Sequence, residues 1–278
     1  MNKMDTLQIK AVEIRKSLLE MIVAGKTGHT GGALSSVDLL VSLFYHTMNF
    51  NPQNQNSPDR DRFILSKGHS VEGYLAILAD LGFFPKEELA TFSQYQSRLI
   101  GHPSRKVPGI EMNTGALGHG LSIGGGMALA GKMDKREYNV FVLMGDGEQA
   151  EGSIWEAAMA CAHYKLDNIV GIIDRNYLQI SGNTEDVMAL DNLSEKWQAF
   201  GWQCHSVAGN DISEITALLD SLPKNSGKPQ LIIANTTKGC GVSFMENNAS
   251  WHHGVPSKDE FLQAMNELEK KREEILQR

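Results

Sequence analysis

The sequence predicts an α/β fold, a doubly wound parallel sheet with helices on both faces, and two observations carry that prediction. The segments YNVFVLMG (138–145) and NIVGIID (168–174) are continuous apolar runs instead of alternating ones, as parallel strands covered on both faces require. A helix-like stretch, EGSIWEAAMACAHYKL, separates them, and the alternation recurs through WQCHSVAG (202–209), ISEITALLDSL and QLIIANTT (230–237).

Residues 6–25 place apolar side chains at helical spacing and stop at Gly25, which predicts an amphipathic helix ending in glycine. A glycine-rich turn, GHTGGALSS (28–36), leads into a helical stretch to about Asn49, then a polar loop, NPQNQNSPDRDR. FILS (63–66) is short and apolar enough for a buried strand and is followed by the turn SKGHS. From Ser257 the chain opens as a capping box, Ser-Lys-Asp-Glu, and continues as a charged amphipathic helix to Arg278. No linker, repeat or low-complexity segment divides residues 1–278, so one domain is expected.

A chain of 278 residues buries roughly three quarters of its unfolded surface, ample for a full core. With 41% hydrophobic and 21% charged residues, no run of eighteen apolar residues and no basic-then-apolar start, it reads as soluble, cytoplasmic and free of any membrane span. The net charge of -7 argues against a general binder of nucleic-acid backbones, which depends on many Lys and Arg contacts. Cys161, Cys204 and Cys240 are odd in number and far apart, which fits reduced thiols and neither a disulfide framework nor a CxxC metal site.

The most informative segment is Gly145-Asp146-Gly147, directly after one predicted strand, with Asn176 at the end of the next. Both side chains then sit at the carboxyl ends of neighbouring strands, where open α/β sheets bind ligands. A carboxylate and a carboxamide with nearby backbone carbonyls make a hard oxygen site suited to Mg²⁺ or Ca²⁺ holding a diphosphate. Taken alone, Asp-Gly after a strand is equally ordinary turn chemistry.

In combination the segments are more specific. GDG, a stretch of under thirty residues and Asn resemble the thiamine diphosphate motif, and GDGEQAEGSIWEAAMACAHYKLDNIVGIIDRN resembles its transketolase form. GHTGG, SKGH, GHP, TGALGHG and a late HHG extend the resemblance to the transketolase family over nearly the whole chain.

The resemblance implies thiamine diphosphate with Mg²⁺, for which Ca²⁺ or Mn²⁺ substitutes. Asp146, Asn176 and the carbonyl of Leu178 would ligate the metal, and Gly147 would touch the diphosphate. TGALGHG is similar to the family's TGPLGQG, which implies cofactor contacts at Gly115 and Leu117; Ala116 and His119 depart from that pattern. Among nine histidines, His29, His69, His102 and His253 each lie beside glycine in a predicted loop. By resemblance His69 contacts diphosphate, and His29, His102 and His253 surround the thiazolium carbon and the substrate's C1 and C2 oxygens. His252 is adjacent and could take over the role of His253, whereas His46, His163 and His205 fall in helix or strand runs and read as structural.

Glu151 matches a family glutamate at a subunit contact, tied to the partner's cofactor-activating carboxylate; its alternative role is to complement a helix N-terminus. Nothing in the sequence matches the family's pyrimidine-binding domain. The expectation is therefore a subunit that performs two-carbon ketol transfer, from a ketose to an aldose, only with a partner chain carrying the pyrimidine-binding and C-terminal domains, two copies of each. Rival readings are a deoxyxylulose-phosphate synthase or 2-oxo-acid dehydrogenase component and a non-catalytic cofactor-binding scaffold. Lys238, in TTKGCG, reads as a loop contact or a solvated turn lysine. GMALAGK (126–132) is rejected as a P-loop because Met133 stands where Ser or Thr holds magnesium; no GxGxxG follows the first strand, and no HExxH supports zinc.

Overall fold

The structure, a computed structural model, describes residues 2–223 and 225–278. Helix α1 (Lys3–Gly25) starts three residues before the expected boundary because Asn2 caps it, with the Asp5 amide donating to Oδ1 at 2.9 Å and the Asp5 carboxylate returning the bond. The single helical stretch expected up to Asn49 is instead α2 (Thr30–Ser35), α3 (Val37–Ser42) and a π turn over Leu43–Thr47. The break has a local cause: the hydroxyl of Ser36 donates to the carbonyl of Gly32 at 3.0 Å, in competition with the helical ladder.

Strand β1 (Arg62–Leu65) leads through a short 3₁₀ turn into α4 (Val71–Asp80). Then come α5 (Gly120–Met133), β2 (Val140–Gly145), α6 (Gly152–His163) and β3 (Ile169–Arg175). A two-residue-strand hairpin, β4 (Leu178–Gln179) with β5 (Gly182–Asn183), precedes α7 (Thr184–Val187) and α8 (Leu193–Ala199). Strand β6 (Gln203–Ala208), α9 (Ile212–Ser221), β7 (Gln230–Asn235) and α10 (Lys258–Leu276) complete the chain, the last with the expected Ser257–Glu260 capping box.

The five long strands form one parallel sheet in the order β1-β2-β3-β7-β6. Successive side chains of a strand alternate faces, so a strand covered on both sides is apolar throughout. Phe141 and Leu143 of β2 join the core formed with α1, α3, α4, α9 and α10, while Val140, Val142 and Met144 join the core beneath α5, α6 and α8. The first two glycines of GGG permit close packing: a Cβ at Gly124 would come within 2.6 Å of Val142, and one at Gly125 within 2.8 Å of Cys161 Sγ, whereas Gly126 faces open space. GMALAGK lies inside α5 and not in a loop between a strand and a helix, which agrees with rejecting it as a P-loop. The three cysteines are free. His46 pairs with Asp220 at 2.9 Å and His205 with Gln230 at 3.0 Å, contacts of the framework.

Because all five strands run one way, the loops after β1, β2, β3 and β7 emerge at one edge of the sheet. SKGH, GDG, DRN and TTKG are brought together there.

Candidate functional site

Gly145 ends β2, and the next three residues turn sharply under the control of Glu148. Its buried carboxylate accepts from the amides of Gly145 (2.9 Å) and Gly118 (2.8 Å) and from the Ser66 hydroxyl, tying the GDG, TGALGHG and SKGH loops to one point. Burial pushes the Glu148 carboxyl up, and these three donors oppose the shift.

Asp146 is 3% exposed. Its Oδ1 accepts from the Gly147 amide at 2.7 Å and its Oδ2 from the Tyr177 amide at 2.7 Å and Arg175 Nη1 at 3.3 Å. Burial first, then the negative charge of Asp174, pushes its carboxyl up. Asn176 accepts from the Leu178 amide at 3.1 Å and donates to Asp174 at 3.3 Å, which fixes the direction of its carboxamide.

Asp174 also accepts from Lys67, Ser35 and Thr236. Burial works against its charge, yet Lys67 and these hydroxyls hold the carboxyl below its ordinary value. Lys67, 2% exposed, divides its ammonium between Asp174 and the carbonyl of Gly32 (2.9 Å). A second buried ammonium, Lys238, donates to the carbonyl of Leu178 at 3.0 Å and lies 2.9 Å from His252 Nδ1. Burial, then repulsion from Lys67, lowers it to about 8.

His29 is the hub of five imidazoles, with ring centroids 5.2 Å from His69, 6.2 Å from His102, 5.8 Å from His252 and 4.8 Å from His253. Its amide donates to Glu72 at 2.8 Å, and a parallel bridge joins it to Gly254, reinforced by Thr30 Oγ1 donating to the Gly254 carbonyl at 2.6 Å. Burial is the leading cause of low basicity in three of the rings: His29 falls to about 4, His69 to about 2 and His252 to about 3. His102 is lowered by burial as well. Burial pushes Glu72 up to about 7 against the donation from the His29 amide.

These groups surround a cavity of about 340 Å³. Asp146, Gly147, Asn176 and Leu178 line one part, Gly115 and Leu117 another, and His29, His69 and His252 a third. His102 stands just behind Gly115, at which a Cβ would approach its ring to 3.1 Å.

Besides His102, two expected positions lie outside the lining. The backbone at His253 is extended, so consecutive side chains diverge: His252 enters the cavity while His253 is exposed at its rim, 3.1 Å from Thr27 Oγ1. Of the two alternatives His252 is the one that lines the cavity. Glu151 is exposed, precedes α6 without a side-chain capping bond and sits beside Gly118.

Sequence reasoning missed Glu148, Asp174 and the ammonium of Lys67, although a charged residue closing the apolar run of β3 was a usable signal for Asp174. It also passed over Gln179, which lines the cavity. Among the described residues no group of three or more His, Cys, Asp or Glu side chains is placed to hold a metal. The hard oxygens here are instead a carboxylate, a carboxamide and a carbonyl, a set that suits a divalent ion whose remaining ligands come from a phosphate. No helix among the described residues is long and apolar enough to cross a membrane.

A parallel α/β sheet with buried ammonium groups, hard oxygens and imidazoles at its carboxyl edge is the architecture of a ligand-binding enzyme domain. The chain belongs to the transketolase family of transferases: the family described as transketolase, thiamine diphosphate binding domain, matches residues 6–271. It is 48% identical over 273 residues to an apulose-4-phosphate transketolase subunit of Phocaeicola vulgatus, covering 98% of this chain and 97% of that protein. It is 40% identical over 265 residues to 6-deoxy-6-sulfo-D-fructose transketolase subunit SqwG of a Clostridium species, covering 95% and 96%. Among solved structures, transketolase from Campylobacter jejuni superposes with a TM-score of 0.89 at 29% identity, over 99% of this chain and 46% of that one. The chain thus spans nearly all of the two subunit relatives and less than half of the solved transketolase chain.

Proposed function

We propose that this chain is the diphosphate- and metal-binding subunit of a two-chain transketolase that moves a two-carbon ketol unit from a ketose to an aldose. The observation that carries the reading is the cavity in which Asp146, Asn176 and the Leu178 carbonyl share a space with His29, His69 and His252.

In this reading Asp146, Asn176 and Leu178 hold Mg²⁺, with Ca²⁺ or Mn²⁺ as substitutes, and His69, Gly115, Leu117 and Gly147 contact thiamine diphosphate. When bound, the cofactor supplies the nucleophile and electron sink for breaking and remaking a carbon–carbon bond. The protein's own work is positional and protonic. His29, His102 and His252 surround the sugar oxygens, and an imidazole neutral at physiological pH can accept a hydroxyl proton and return it. His253 stands at the entrance, where it meets the sugar before the interior rings do. Glu151, exposed beside the TGALGHG loop, is assigned to the partner contact.

Residues 1–278 form one diphosphate-binding domain in this account; the pyrimidine-binding and C-terminal domains belong to a partner chain, and two copies of each form a dimer of heterodimers in the cytoplasm. Names of the two subunit relatives point to a phosphorylated or sulfonated ketose as donor. The test is ketol transfer to ribose 5-phosphate by the reconstituted pair, with xylulose 5-phosphate, apulose 4-phosphate and 6-deoxy-6-sulfofructose offered in turn. One donor is expected to turn over, and Asp146→Ala to abolish turnover of that donor. Pyruvate decarboxylation in place of ketol transfer would contradict the proposal.

A further inference from the structure

Gln179 carries a buried side-chain nitrogen, Nε2, with no hydrogen-bond partner, and the residue lines the cavity. Buried amide donors are almost always paired, so an orphan at a cavity wall marks where an acceptor is to come from outside the chain.

The place of Gln179 is tightly determined. It pairs with Gly182 across the hairpin, and the preceding residue, Leu178, donates its amide to Asn176. The side chain then lies along the GDG turn: a Cβ at Gly147 would meet Gln179 Cγ at 3.0 Å, Cδ at 3.1 Å and Nε2 at 3.3 Å. Glycine at 147 therefore leaves room for the carboxamide at that wall.

The chemistry of the surroundings selects the acceptor. Lys67, bonded to Asp174 and Gly32, and Lys238, bonded to the Leu178 carbonyl, place two positive charges at the same cavity. A neutral donor beside cationic groups suits an anion, and the acceptor-rich end of thiamine diphosphate is its diphosphate. We propose that the carboxamide of Gln179 is a further diphosphate-binding group, donating from Nε2 to a phosphate oxygen of the cofactor. The inference rests on the reading that this cavity holds thiamine diphosphate.

A ligand donor and a structural residue give opposite signatures on substitution. Removing an unsatisfied buried donor relieves the unliganded protein, while it deprives the ligand of a charge-assisted bond. For Gln179→Leu, with Gln179→Met as a second apolar variant, the unliganded full chain should unfold at the same or a higher urea midpoint. Calorimetric affinity of the complex with its partner subunit for thiamine diphosphate with Mg²⁺, and for inorganic pyrophosphate with Mg²⁺, should fall ten- to a hundredfold. Thiamine, which lacks the diphosphate, should bind the variant and the wild type alike. Equal affinity of variant and wild type for pyrophosphate would overturn the inference alone, as would a fall in the urea midpoint matching the loss of affinity. Failure of the wild-type complex to bind either diphosphate would overturn the cofactor reading, and the inference with it.

Discussion

The ammonium of Lys238 donates to the backbone carbonyl of Leu178 at 3.0 Å, so the carbonyl assigned to the metal already serves a cation within the chain. Two cations at one carbonyl repel each other. Without cofactor, Lys238→Met should therefore bind Mn²⁺ several-fold more tightly than the wild type, as followed by the loss of the free-ion electron paramagnetic resonance signal. The same variant should bind thiamine diphosphate about tenfold more weakly, since a positive charge facing the phosphates is gone. Unchanged Mn²⁺ affinity would show that Lys238 and the metal do not compete.

Lys67, at the cavity wall, and Asp174 behind it form an ion pair with side chains 2% and 0% exposed. Removing one partner of such a pair strands the other charge in the interior, a loss of about 3–5 kcal/mol, whereas an apolar pair of similar volume is often tolerated. Lys67→Met should lower the urea unfolding free energy by that amount, and Lys67→Met with Asp174→Leu should recover most of it. A single variant as stable as the wild type would mean that water reaches Asp174.

The imidazoles set a pH dependence whose sign is fixed. His252 is held at about 3 in the folded chain against an ordinary value of 6.5, chiefly by burial and next by Lys238. Between those values the unfolded chain binds the extra proton, so this contribution to stability is complete above 6.5 and falls as pH drops toward 3. Raised carboxyls such as Glu72, at about 7, act in the opposite direction, so the comparison is made by difference. Relative to His252→Gln, the wild type should lose unfolding free energy steadily from pH 6.5 to 4.5. Parallel profiles would show that His252 is already charged in the folded protein.

The sheet was readable because β2 and β3 are apolar on both faces, a pattern that survives without any knowledge of what packs on them. Asp146 and Asn176 were readable as strand ends, since a parallel sheet delivers its carboxyl-terminal residues to one edge. The pairing of Lys67 with Asp174 was not, because it spans 107 residues and only the folded sheet brings the two together. Nor was the hairpin at Leu178–Gln179 and Gly182–Asn183, whose two-residue strands are too short to show a period of two. The choice between His252 and His253 turned on an extended backbone that a run of two identical residues does not announce.

This chain is proposed to hold half of a ketol-transfer site and to need a partner to complete it. The direct measurement is ketol transfer by the chain alone, by its partner alone and by the two mixed, with thiamine diphosphate and Mg²⁺ present throughout. The account predicts activity in the mixture only, lost again with Asp146→Ala. Activity from this chain alone would contradict it.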